Sequence, residues 1–90
     1  MKRYTRKGLI RYFEKLPPKS RPCQTDVCPI ATFMGPKFVA NYPEPADASV
    51  AAMRFDPLLA SAIDASDDRD DWTTLTASKI VKIAKAAPHV

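Results

Sequence analysis

Thr5-Arg6-Lys7-Gly8-Leu9-Ile10-Arg11-Tyr12-Phe13-Glu14-Lys15-Leu16-Pro17-Pro18 decides how the rest of the chain is read. The Thr5 side chain is of the kind that accepts from the open amides of a first helical turn. Tyr4 stands just before it and Leu9 four positions into the helix, the spacing of a hydrophobic staple. Leu9, Phe13 and Leu16 then recur at i, i+4 and i+7, with Ile10 and Tyr12 widening the apolar stripe. Arg6, Lys7, Arg11 and Lys15 are expected mostly on other faces. Pro17-Pro18 ends the helix near Lys15, because the residue before a proline is driven out of the α region.

Working outward, residues 17–26 are rich in proline and polar side chains and read as a loop. A short helix follows, capped by Asp26 or Cys28, with Pro29 in the first turn where a missing N–H costs nothing. Ile30, Phe33 and Met34 give its inward face, and Gly35-Pro36 reads as a stop. Residues 37–42 are bracketed by prolines and read as a strand. They would pair with 48–55 in a two-stranded β-ribbon. That ribbon stays open, since Val50, Met53 and Phe55 fit neither a helical nor a strand period. Asp56-Pro57 starts another helix, with Leu58, Leu59, Ala62 and Ile63 at helical spacing. Asp67, Asp68, Asp70 and Asp71 surround Arg69 in a loop or a first helical turn. Thr76 caps a last helix over about 77–87, and Leu75 and Ile80 repeat the staple spacing. The fold class is therefore mainly α: about four short helices in a single domain over 1–90, with the β-ribbon left open. Residues 1–4 and 88–90 are expected to fray.

Ninety residues lie near the lower limit for a self-sufficient core. Of the 46% apolar content, thirteen residues are alanine, so the large side chains must converge. Leu9, Phe13, Ile30, Phe33, Leu59, Ile63, Trp72, Ile80 and Ile83 are expected to form one cluster. Trp72 has a second reading, as an exposed anchor for a partner.

Charge is distributed in blocks. The net +4 resolves into +7 over residues 1–22, −6 over 23–73 and +3 over 74–90. Internal pairing of the acidic middle with the basic ends accounts for part of this. The remainder points to a partner: Lys2, Arg3, Arg6, Lys7 and Arg11, interleaved with Tyr4 and Tyr12, suit phosphates and bases. The plain alternative for these cations is a solvated helix face.

Catalytic readings find little support. The one histidine, His89, lies beside the C-terminus, and only Gly8 and Gly35 are available for a phosphate loop. The aspartates lack the central glycine and terminal glutamate of an EF-hand. Cys23 and Cys28 with one distant histidine fall short of a zinc set, so free thiols are expected, with some thiolate character for Cys28 at a helix start. No apolar run reaches the roughly 18–20 residues of a membrane span, and Arg11 breaks up any leader-like segment. A cytoplasmic protein without cofactor or metal is expected.

The stretch Leu9-Ile10-Arg11-Tyr12-Phe13-Glu14-Lys15-Leu16-Pro17-Pro18, followed by Cys28-Pro29-Ile30-Ala31-Thr32-Phe33, resembles small uncharacterised phage and bacterial proteins. Those have an amphipathic N-terminal helix, a Pro-rich loop and a Cys-Pro-[Ile/Leu]-Ala helix start. The likeness spans residues 9–34 and implies a phage or mobile-element setting, with no activity or binding residues attached. Small phage proteins often block host machinery, CRISPR complexes included, so the analogy suggests an inhibitor of a defence complex. The expectation is a non-enzymatic protein that binds a host protein or nucleoprotein complex. Its alternative is a small basic nucleic-acid-binding protein using the N-terminal helix. The binding residues expected between the two are Lys2, Arg3, Arg6, Lys7, Arg11 and Trp72.

Overall fold

The computed structural model describes residues 4–24, 26–65 and 72–88. Within them lie six α-helices and one 3₁₀ turn: α1 (Arg6–Glu14), α2 (Pro29–Met34), α3 (Pro36–Val39), α4 (Pro45–Met53), α5 (Pro57–Asp64), the turn Trp72–Thr74, and α6 (Ala77–Ala86). Thr5 caps α1 by accepting from the Gly8 amide at 3.0 Å. Cys28 caps α2 through its sulfur, which accepts from the Ala31 amide at 3.3 Å. Asp56 and Thr76 cap α5 and α6 in the same way, each accepting at 3.2 Å from the third amide of the helix.

No strand occurs among the described residues, so the β-ribbon of 37–42 with 48–55 is corrected to two helices. Two local causes explain this. Pro36 and Pro45 sit in the first turns of α3 and α4, where proline pre-sets a helical φ. Gly35 ends α2 with φ 99° and ψ 171°, but α3 starts immediately after it. In α4 the inward face is made of small residues, Ala48, Ser49 and Ala52, all buried. Val50 points out and is 55% exposed. The large residues of that segment therefore carry no period: Val50 faces out, Met53 packs half-buried against the core, and Phe55, beyond the helix, lies against Tyr4 and Phe38.

One core runs through the molecule. Leu9, Phe13, Ile30, Phe33, Leu59, Ile63, Trp72 and Ile80 are buried in it, and Ile83 packs against it half-buried. Leu75, Phe38, Val27, Cys23 and Cys28 join the same cluster. α1 packs mainly on α6, α2 on α4 and α3, and α5 on α6. Gly8 is where α2 comes close to α1: a Cβ there would lie 3.2 Å from the Phe33 ring and 2.8 Å from the Thr5 hydroxyl.

α1 and α6 run antiparallel, because bonds tie opposite ends together. The Pro18 and Ser20 carbonyls, just after α1, accept from the Ser78 and Ala77 amides that open α6. At the other end Arg6 donates to the Ala84 and Ala87 carbonyls. Both termini of α6 are thus satisfied by the segment that contains α1.

Candidate functional site

Arg6 falls at i−3 from Leu9 and i−7 from Phe13, on the apolar stripe itself, and it is 9% exposed. All five of its donors are used. Nε and Nη2 reach the two Asp56 carboxylate oxygens at 2.5 and 2.7 Å. Nη1 donates to the Ala84 and Ala87 carbonyls at 3.1 and 3.0 Å, and Nη2 also to the Pro88 carbonyl at 2.9 Å. Asp56 is equally saturated, since it also accepts from the Tyr4 hydroxyl at 2.5 Å and the Leu59 amide. Burial alone would raise the Asp56 carboxyl, but hydrogen bonds from Arg6, Tyr4 and Leu59 outweigh it and hold it below the usual carboxylate range. Burial and the Asp56 bond push the Tyr4 phenol above its ordinary value. This node joins the chain before α1, the start of α5 and the end of α6. It has no donor or acceptor left for a ligand.

Arg6 is therefore removed from the set of cations available to a partner. So is Trp72, which is 8% exposed and belongs to the core. Lys2 and Arg3 lie outside the described residues, as does the acidic run Asp67, Asp68, Asp70 and Asp71. Of the expected binding residues, Lys7 and Arg11 remain, and both are exposed.

Lys7 and Arg11 belong to a larger surface. Lys15, exposed at the end of α1, continues their i, i+4 spacing, so three cations share one face about 6 Å apart along the axis. Glu14 beside them reaches across to Lys85 of α6 at 3.0 Å. On α6, Ser78 borders a cleft with Phe13, Glu14 and Leu16 of the α1 segment, so its side and that of Lys85 adjoin α1, while Lys82, one turn after Ser78, is exposed beside Lys79 and Ala86. Lys19 is exposed between Pro18 and Ser20, whose carbonyls cap the start of α6. Exposed cations thus stand on α1, on the loop after it and on the neighbouring α6: Lys7, Arg11, Lys15, Lys19, Lys82 and Lys85, with Glu14 among them. None of the first five has an ion-pair partner among the described residues. The sequence carried the signal in an i, i+4 run on α1 and an i, i+3 pair on α6. What it did not carry was that α1 and α6 are neighbours.

The tyrosines do not stand on this surface as stacking platforms. Tyr12 packs edge-on against Phe13 and Phe33, with ring centres 5.0 and 5.7 Å away. Tyr4 stacks on Phe55 at 6.0 Å and bonds Asp56.

Cys23 and Cys28 are free and buried. The Thr32 hydroxyl lies between them, within 3.0 Å of the Cys28 carbonyl and 3.6 Å of the Cys23 sulfur, with one proton to donate to either. Burial raises the Cys23 thiol to about 11 and raises the Cys28 thiol despite its bonds from the α2 amides. The expected thiolate character of Cys28 is thus corrected: desolvation outweighs the helix start. Cys28 instead ties α2 to α4, its amide donating to Ser49 Oγ at 2.9 Å.

Clefts on the described surface include a shallow one of about 270 Å³ bounded by Tyr12, Val27, Thr32 and Val39. Among the described residues no three His, Cys, Asp or Glu side chains gather as a metal site, and no helix is long and apolar enough to cross a membrane. No protein-family model, curated protein or solved structure matches this chain.

Proposed function

We propose that this is a non-enzymatic interaction domain that docks its α1–α6 face on an anionic surface of a host protein or nucleoprotein complex, in a phage or mobile-element setting. The observation that carries this reading is the set of Lys7, Arg11, Lys15, Lys19 and Lys82 on α1, the loop after it and α6, exposed and without counter-charges among the described residues. The buried polar side chains support it from the other side. Arg6, Asp56 and Ser49 are all engaged in bonds between helices and have a structural task already. Opposed charge patterns steer encounter and fix register more than they add raw affinity, which suits a domain of this size.

Affinity capture from host-cell lysate tests the proposal, comparing the native chain with a double variant Arg11→Glu and Lys82→Glu. A stoichiometric partner retained by the first and lost by the second is expected. A partner that stays bound to the charge-reversed chain would place the docking surface elsewhere and overturn the assignment.

A further inference from the structure

We infer that the α1–α6 face binds the phosphodiester backbone of double-stranded nucleic acid without reading its sequence. This rests on the docking reading above and names the chemistry of the anion. Composition favours phosphate over a protein carboxylate. The face holds Lys7, Lys15, Lys19, Lys82 and Lys85 against Arg11, with Arg21 exposed just beyond Lys19, and among the described residues it carries no exposed ring. Protein interfaces are enriched in arginine and aromatic residues and depleted in lysine. Lysine serves phosphates as a mobile point charge, with no need for the paired geometry that a carboxylate takes from arginine.

The arrangement is two-dimensional. One row of cations runs along α1, and Lys82 and Lys85 stand on the antiparallel neighbour, at the roughly 8–10 Å separation of packed helices. A lattice of that kind meets a surface of regularly spaced charges better than one isolated acid. Among the described residues neither tyrosine offers its ring to bases: Tyr12 is packed on Phe13 and Phe33, and Tyr4 is held by Asp56. A lipid surface fits poorly. An interfacial helix needs its apolar stripe free to enter the bilayer, whereas Leu9, Phe13, Ile80 and Ala84 are all in the core. The exposed large apolar residues, Val50 and Phe55, belong to α4 and its exit.

Fluorescence anisotropy with a labelled mixed-sequence 20-base-pair DNA duplex tests the inference, with a scrambled duplex, polyglutamate and phosphatidylserine vesicles as parallel arms. Both duplexes should bind equally. If about five phosphates are neutralised, the logarithm of the binding constant falls with a slope of about −4 to −5 against log salt, a loss of roughly 10²–10³-fold between about 50 and 200 mM. Arg11→Ala and Lys82→Ala should each reduce that slope by about one, while Arg54→Ala, an exposed cation off the face, leaves it unchanged. Circular dichroism melts confirm that the variants fold. Absence of duplex binding at the lower salt overturns the inference. So does an Arg54→Ala effect equal to that of Arg11→Ala, which would reduce the binding to net charge. Equal binding of polyglutamate or vesicles through Arg11 and Lys82 overturns the phosphodiester assignment but leaves the docking reading intact. Failure of the docking reading is seen separately, in the lysate capture.

Discussion

The α1–α6 pair and the α2–α3–α4 region solve the same problem with different materials. In the first, large side chains at helical spacing, Leu9, Phe13 and Ile80, fill the interface, and polar bonds close both ends of α6. In the second, closeness comes from what is missing: Ala31, Ala48, Ser49 and Ala52 are small and buried, and helices meet over them. Periodicity of large apolar residues finds the first kind of packing. It is blind to the second, where the large residue of α4, Val50, faces solvent.

The largest expected effect lies at the node that fastens the first region. Arg6→Ala leaves the Asp56 carboxylate buried without its charge partner and frees three carbonyls at the end of α6. Removing one member of a buried pair costs about 3–5 kcal/mol, a large part of the total for a domain of this size. Denaturant titration measures it. A loss below about 1 kcal/mol would mean that the node is dispensable and that the apolar stripe alone holds α1 to α6. The same node sets an acid limit. Asp56 has its carboxyl lowered in the folded chain, so its contribution is complete above the ordinary carboxylate value of about 4. It is lost as the pH falls through the lower folded value, because the unfolded chain then binds more protons. Asp56→Asn should flatten the stability profile in that acid window and leave its shape near neutrality unaltered.

Arg6 also shows how much of the molecule was legible from the chain. Its helix, the Thr5 cap, the Asp56-Pro57 start and the Thr76 cap follow from local chemistry and appear as expected. The burial of Arg6 was encoded too, by its spacing from Leu9 and Phe13, but charge argued for solvent and only Asp56, fifty residues away, resolves the conflict. The cationic face was half legible. Lys7, Arg11 and Lys15 share a stripe on local spacing alone, whereas their union with Lys82 and Lys85 depends on a tertiary contact that no local rule supplies. Proline misled at 36, because the Gly35-Pro36 pair that stops α2 also starts α3.

Overpacking sharpens the contrast at an intermediate size. Ala52→Leu inserts three carbons where α4 is fully buried, and such insertions cost about 1–3 kcal/mol. An enlargement on the outer side, Val50→Leu, should stay within about 0.5 kcal/mol, as at other solvated positions. Comparable losses at the two positions would contradict the small-residue account of this interface. Gly35→Ala separates backbone from packing. A Cβ there meets nothing within 4 Å, so any loss, about 1–3 kcal/mol, comes from forcing an L residue to φ 99°.

The smallest stability effect is expected at Glu14, and it has the sharpest consequence for function. Glu14 and Lys85 form an exposed pair, with side chains 45% and 58% accessible. Water screens such a pair and two long side chains must be held still, so Glu14→Ala should change stability by less than about 1 kcal/mol. In the Arg6–Asp56 pair the same kind of contact is desolvated and its loss is severe; that difference in setting is the comparison restated in two ion pairs. Binding should move the other way. Glu14 is the acid standing among Lys7, Arg11 and Lys15, and its removal releases Lys85 to the surface. Duplex affinity should therefore rise at low salt and the salt slope steepen by about one, as one more counterion-displacing cation joins the face. Anisotropy and a thermal melt on the same sample decide the matter. Unchanged stability with weaker binding would show that Glu14 positions Lys85 for the partner, and that the pair belongs to the docking surface as a unit.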